Sequence, residues 1–344
     1  MGKRGVVVVA LTLASCAPPR LDSGADPATP IVIAHRGASG YRPEHTLAAY
    51  ELAIRQGADF IEPDVVITKD GALVVRHEHR LDETTDVAQK LPALRNAKRV
   101  GNDTVSGWFV EDLTLAQVKQ LRARERLASR SHEYDGQFGI PTLDDVLELA
   151  VRMSRETGRV IGVYPETKSP SYFRSIGLPL EEKLIAALQR HWPDLGSAPV
   201  FVQSFEVGNL ERLRAMAPVR LIQLLAAQGG PPDAGGTTTY ATMATPAGLR
   251  EIARYARGVG VEKRLILPVA RNGATLPQTS IVADAHAAGL LVHVWTFRSD
   301  APFLAAQYAG DPGAEYRQFA GLGVDGVFSD FPDHAVGALR PKPR

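Results

Sequence analysis

The chain has 344 residues, with 39 Lys and Arg against 38 Asp and Glu and a formal net charge of +1. That balance gives no electrostatic footprint for nucleic acid or an acidic partner, and 44% hydrophobic residues exclude a disordered chain. The length suits one large α/β domain or two smaller ones.

In chain order, Lys3 and Arg4 precede the short apolar run GVVVVALTLA. It is too short to span a bilayer and reads as a secretory signal. It closes on LASC, Leu13 to Cys16, which resembles a bacterial lipobox. Cys16, the only cysteine, would become the lipidated first residue, leaving none for a disulfide. Ala17 follows it, and in a Gram-negative cell that points to the outer membrane. The expectation is an exported, periplasmic, lipid-anchored protein: a signal over 1–16, a Pro-rich tether over 17–29, and one domain over 30–340.

From residue 30 on, strand-like runs alternate with helical stretches, which favours a parallel sheet. Strands are predicted at 31–35, 59–67, 72–77, 160–166, 200–205, 220–225, 260–267, 290–296 and 324–329. Helices are predicted at 46–56 and 142–155, with Thr46 and Thr142 as N-caps, and at 181–191, 206–216, 247–257, 277–288 and 301–320. The second and third strands are separated only by Thr68-Lys69-Asp70-Gly71. Parallel neighbours need a crossover of about a dozen residues, so this can only be a hairpin. Setting it aside leaves eight strands, and a TIM (β/α)₈ barrel is the expected fold. If Ile67 pairs with Ala72, Glu62 lies opposite His77. Residues 78–141 read as an insertion at the barrel mouth with a helical piece near 114–126, and residues 226–246 read as a mobile loop.

Several strands end in chemistry. His35 and Arg36 close the first strand, and side chains at the C-terminal ends of barrel strands face the active site. Gly37 is expected to let the backbone approach a ligand. Glu62 and Asp64 are two apart, so they share a strand face. Paired carboxylates on an apolar strand repel unless a cation sits between them, and oxygen ligands suit Ca²⁺ or Mg²⁺. Two salt bridges are the blander reading. Pro63 between them should disturb the ladder. His77 is expected to face inward, and His79 to lie outside. Glu166 and Lys168, again two apart, offer a third carboxylate and a point charge for an anion. Two imidazoles, three carboxylates and two cations suit phosphodiester cleavage.

AHRGASGYRPEHT, GADFIEPDVVITKDGALVVRHEHRLDETTDV, PETK, VHVWTFR and GVDGVFSDFP resemble the glycerophosphodiester phosphodiesterase family, its periplasmic branch above all, over residues 31–334. The resemblance implies a TIM barrel with an insertion at 78–141. It implies His35 and His77 as catalytic histidines, and Glu62, Asp64 and Glu166 as ligands of one divalent cation, Ca²⁺ ahead of Mg²⁺. Arg36 and Lys168 become phosphate contacts, Glu44 a buttress for Arg36 or a contact to a glycerol hydroxyl, and Trp295 a wall of the substrate pocket. Many members have Asp where this chain has Glu78 and Asn where it has His45; His45 is expected to be only a loop residue.

The implied substrates are small glycerophosphodiesters such as glycerophosphocholine or glycerophosphoethanolamine, cleaved to sn-glycerol 3-phosphate and an alcohol through a cyclic glycerophosphate. Two alternatives stand beside this. One is a phospholipase D-type enzyme acting on lysophospholipids or sphingomyelin, left open by Trp108, Phe109 and Val110 in the insertion. The other is a non-catalytic lipoprotein that binds glycerophosphodiesters.

Overall fold

The computed structural model describes residues 29–100, 103–270 and 275–340. Ile31–His35 (β1) buries Val32, Ile33 and Ala34, as a strand covered on both faces must. The second strand is two pieces, Phe60–Glu62 (β2) and Asp64–Ile67 (β3), broken at Pro63, which has no N–H for the ladder. Leu73–Val75 (β4) returns antiparallel to β3. Asn96–Val100 (β5) and Asp103–Gly107 (β6) form a separate ribbon. The next strand is again split, into Gly162–Val163 (β7) and Glu166–Thr167 (β8), around Tyr164-Pro165. Phe201–Ser204 (β9), Arg220–Leu225 (β10), Gly258–Glu262 (β11), Leu291–Phe297 (β12) and Gly326–Ser329 (β13) complete the set.

The pairing closes a ring. β1 pairs with β2, β2 with β7 and β3 with β8; β8 leads through β9, β10, β11, β12 and β13 back to β1, every step parallel. Counting each split pair as one strand gives eight, so the fold is the expected (β/α)₈ barrel with one hairpin at its side. Inside the ring, Ile33, Tyr164, Phe201, Ile222 and Phe328 pack as one apolar layer. His293 joins it with Nδ1 2.8 Å from the Tyr164 hydroxyl. The larger core lies between the ring and its helices. Thr46 and Thr142 cap their helices by accepting the N–H of Ala49 and Asp145.

Some boundaries differ from the sequence reading. The hairpin pairs Ile67 with Leu73, not Ala72, so Arg76 lies opposite Asp64 and His77 falls level with Pro63 rather than Glu62. Gly71 and Ala72 both belong to the turn, with Gly71 at φ +82°. The strand expected at 260–267 is β11, after which Lys263–Ile266 turns helical. The helix expected over 301–320 begins only at Pro312, where Asp311 caps it. The piece expected near 114–126 is a single turn, Leu115–Val118, and the Arg-rich stretch after it is extended. Residues 226–246 contain a short turn at Pro232–Ala234 and a helix at Tyr240–Met243. A helix at Pro332–Leu339, absent from the sequence reading, packs on β1. Cys16 and the expected signal and tether lie outside the described residues, apart from residue 29.

Candidate active site

The strand ends meet at one mouth. His35, Arg36, Glu62, His77, Glu166, Lys168, Gln203, Phe205, Trp295 and Arg298 are among the residues lining a cavity of about 140 Å³. A larger opening of about 870 Å³ lies among surface helices, lined by Glu211, Arg214, Glu251 and Arg254, and it holds none of the strand-end groups. We place the chemistry in the smaller one, because that is where the titratable groups converge.

Each lining histidine has one ring nitrogen committed to a carboxylate. His35 Nδ1 lies 2.6 Å from Asp330 Oδ1, and His77 Nδ1 lies 2.7 Å from Glu78 Oε1. Burial and then the His35 charge contact, reinforced by Arg130 and Arg298, act on Asp330 in opposite senses; the cations win and hold it well below the usual carboxylate range. An ionised carboxylate only accepts, so Nδ1 of His35 carries the proton and Nε2 keeps the lone pair. Burial, then the Arg36 charge, lowers His35 to about 4 against the opposing pull of Asp330. His77 is lowered by burial, Lys168 and Arg36. Both rings are therefore neutral near pH 7.

Glu62, Asp64 and Glu166 are buried and each offers a carboxylate oxygen within 4.8 Å of the others. Their electrostatics ask for a cation. Burial and then the charges of Asp64 and Glu166 push Glu62 well above the usual range. Glu166 rises to about 7, by burial first, with Asp64 adding to it and Lys168 opposing. Among the described residues no hydrogen-bond donor reaches the buried Asp64 Oδ1, and Lys168 Nζ stands 3.8 Å away. Three hard oxygen donors with one orphaned lone-pair site fit a divalent ion. Gln203 Nε2 donates to Glu62 Oε1 at 3.0 Å, and His45 Nε2 lies 2.8 Å from Asp64 Oδ2, so two of the three are aimed by a second layer.

Two cations border the carboxylates. Lys168 Nζ donates to Glu166 Oε1 at 2.7 Å. Arg36 donates its backbone N–H to Glu62 Oε2 at 2.9 Å and its guanidinium NH1 to both Glu44 oxygens at 3.2 and 3.0 Å. Arg36 and His45 both sit at positive φ, 61° and 59°, a region ordinary side chains avoid. Such strain persists only where the surroundings impose it. Here Arg76, itself buried, donates to the carbonyls of Glu44 and His45 at 3.1 and 3.0 Å.

With that geometry in place, the comparisons are concordant. Residues 35–334 match the model of the glycerophosphoryl diester phosphodiesterase family. The chain belongs to that family. A glycerophosphodiester phosphodiesterase from Arabidopsis thaliana is 34% identical, over 95% of this chain and 93% of its own. One from Haemophilus influenzae is 30% identical, over 90% of each. Among solved structures, an Oleispira antarctica phosphodiesterase in complex with the product sn-glycerol-3-phosphate superposes with a TM-score of 0.63 at 23% identity, over 90% of this chain and 96% of that one. A Silicibacter pomeroyi member reaches 0.66 at 22%, over 91% and 94%.

Within this phosphodiesterase, the expected His35, His77, Arg36, Glu62, Glu166, Lys168 and Trp295 line one cavity, and Asp64 joins the carboxylate group behind it. Glu44 is not in the lining; it is buried beneath Arg36 and bonds Arg126 Nε at 2.8 Å. Trp295 donates its indole N–H to Gly260 O at 2.9 Å and meets Phe205 edge-on at 5.8 Å. His45 is no mere loop residue: it is fully buried between Asp64 and the Tyr50 hydroxyl. Gly37 serves the fold rather than a ligand. At φ +85°, a Cβ there would come within 2.7 Å of the Ala49 backbone. Asp330, Gln203 and Arg298 carried no role in the sequence reading. The GVDGVFSDFP segment held the signal for Asp330, a carboxylate at the C-terminal end of the last strand.

Proposed function

We propose that this chain hydrolyses glycerophosphodiesters with a small polar headgroup, releasing sn-glycerol 3-phosphate and an alcohol. The observation that carries it is the convergence of two carboxylate-oriented imidazoles, a three-carboxylate cluster and two cations on one small cavity. Family membership and the names of relatives 30–34% identical support the same reading.

Glu62, Asp64 and Glu166 would hold the divalent ion, with Ca²⁺ preferred over Mg²⁺. When bound, it supplies Lewis acidity toward oxygen and phosphorus. His35, with Nε2 free, takes the proton of the glycerol 2-hydroxyl as its oxygen attacks phosphorus. His77, neutral in the free protein, takes up a proton from solvent on Nε2 as the anionic phosphodiester binds, and gives that proton to the departing headgroup oxygen as that P–O bond breaks. The cyclic glycerophosphate is then opened by water with the two histidines exchanging roles. Arg36 and Lys168 balance the phosphate oxygens. Trp295 and Phe205 form the apolar wall.

The lipid alternative loses its footing in the insertion. Phe109 and Val110 are fully buried, and Trp108 donates its indole N–H to Leu91 O at 2.8 Å. Those side chains therefore pack within the insertion rather than form an exposed apolar surface for an acyl chain. A coupled assay decides: glycerol 3-phosphate released from glycerophosphocholine is expected, and choline released from lysophosphatidylcholine instead would overturn the proposal. The non-catalytic alternative predicts product from neither.

The export reading also stands as a proposal, supported by Lys3, Arg4, the apolar run and LASC. Cys16 would carry the lipid and hold the enzyme at the periplasmic face of the outer membrane. Among the described residues no helix is long and apolar enough to cross a membrane. Mass spectrometry of the mature N-terminus should find a lipidated Cys16; an unmodified N-terminus elsewhere would refute it.

A further inference from the structure

Arg126 lies in an irregular stretch near the end of the insertion and Arg130, four residues on, closes the turn that follows, its N–H donating to Leu127 O at 3.0 Å; each reaches a carboxylate that holds one member of the His35-Arg36 pair. Arg126 Nε donates to Glu44 Oε2 at 2.8 Å, and Glu44 holds the Arg36 guanidinium. Arg130 NH2 donates to Asp330 Oδ2 at 2.6 Å, and Asp330 Oδ1 holds His35. Arg130 is the more firmly seated. Its side chain is 6% exposed and also grips Asp300 through Nε at 3.0 Å and NH2 at 2.7 Å, and Ser39 O through NH1 at 3.0 Å. Ser39 in turn donates its hydroxyl to His35 O at 2.9 Å.

The segment bearing these arginines is itself pinned. Ala123 N–H donates to Phe138 O at 2.8 Å, Arg124 N–H to Thr84 O at 2.9 Å, Glu125 N–H to Asp135 Oδ1 at 2.7 Å, and Leu127 N–H to Glu125 Oε1 at 2.7 Å. A strap fixed in this way, ending in the turn that holds Arg130, sets where its side chains end. The barrel supplies His35 and Arg36, and the groups that aim them are gripped from the insertion as well, beside the barrel's own Arg298, which donates to Asp330 Oδ2 at 3.2 Å.

We propose that the insertion is a positioning strap for the reaction: Arg126, through Glu44, aims the phosphate-binding Arg36, and Arg130, through Asp330, aims the base His35. The two arginines are positioning residues with separable effects, and the kinetic part of this rests on the function proposed above. Arg130 spans two carboxylates with one planar fork, which a lysine cannot reproduce. Arg126 bears on a binding group, so its loss acts on KM; Arg130 bears on a proton-transfer group, so its loss acts on kcat.

The test compares Arg126→Ala, Arg130→Ala and Arg130→Lys with Arg124→Ala, a control from the same strap whose side chain is largely exposed and 3.7 Å from Asp135. With glycerophosphocholine, Arg130→Ala is expected to lower kcat about 10- to 100-fold at unchanged KM, with partial recovery in Arg130→Lys. Arg126→Ala is expected to raise KM several-fold at nearly unchanged kcat, and Arg124→Ala to match the parent. Proton NMR adds a readout that needs no turnover. The downfield Nδ1 proton of His35, assigned by its loss in His35→Gln, should persist in Arg124→Ala and broaden by exchange in Arg130→Ala. If the parent does not turn over glycerophosphocholine, the proposed function fails while this proton still decides the strap. A sharp proton in Arg130→Ala overturns the proposal, and so do kinetics that match the parent. Equal losses of kcat and KM in both variants, tracking a lower Tm, overturn it too.

Discussion

His35 and His77 share one device: each has Nδ1 beside a carboxylate, which leaves Nε2 for the proton transfer proposed above. The carboxylates differ in reach. Glu78 is the next residue in the chain and its side chain is 57% exposed, whereas Asp330 is 295 positions away and buried. On the proposed mechanism, replacing either histidine by alanine removes a proton-transfer group, and kcat should fall by about 10²- to 10⁴-fold. Steady-state kinetics on glycerophosphocholine would check it, and full activity in either variant would remove that histidine from the mechanism. These two residues were legible because each closes an apolar run in the sequence, His35 as the last residue of β1 and His77 two residues beyond β4. Asp330 also ends a strand, yet only the closed ring brings β13 beside β1, and one sequence does not state that contact. His45 misled for a different reason. A histidine next to a helix N-cap reads as loop, and its burial follows from Arg76 folding the 44–45 backbone inward from a neighbouring hairpin.

At the scale of elements, the turn length alone argued that β4 runs antiparallel, and it does; the register slipped by one because Ala72 was counted into the strand. The insertion was legible as an interruption but not in its contents. Its ribbon β5–β6 and the turn after it are held to the barrel side by Glu111, whose one oxygen meets Lys98 Nζ at 2.7 Å, the Tyr172 hydroxyl at 2.6 Å and His79 Nδ1 at 3.3 Å. His79 thus lies outside the catalytic cavity, as expected, and belongs to this junction. Burial would raise the Glu111 carboxyl, but the bonds from His79, Lys98 and Tyr172 outweigh it and hold it at about 2. The folded pKa lies below the unfolded value near 4.3, so the ionised junction stabilises the fold above about pH 4.5 and that contribution is lost as pH falls toward 2. It amounts to at most about 3 kcal/mol. Urea unfolding of the parent and Glu111→Gln should show a stability gap at pH 7 that narrows by pH 3. A gap independent of pH would mean that Glu111 contributes packing rather than charge.

For the whole molecule, strand count and hairpin logic were enough to reach the barrel, and the barrel is what turns scattered strand ends into one site. The same arrangement gathers buried like charges: Glu62 and Glu166 are pushed up by burial and by their carboxylate neighbours, and among the described residues Asp64 Oδ1 has no donor. The folded chain therefore carries an electrostatic cost that a bound divalent ion would offset, whereas the unfolded chain does not assemble the cluster. A ligand of the native state alone stabilises by about 2.7 kcal/mol at 100 times its Kd. For a domain of this size that is a rise in Tm of roughly 5 °C. Calorimetry of the chelator-treated protein with and without Ca²⁺ or Mg²⁺ should show that rise. Glu62→Gln separates this from general salt effects. It removes one repelling charge, so in chelator the variant should melt no lower than the parent, yet it should gain little from the ion. If Glu62→Gln responds to the ion as the parent does, the cation sits elsewhere; if it melts far lower in chelator, Glu62 is held by contacts stronger than the repulsion described here.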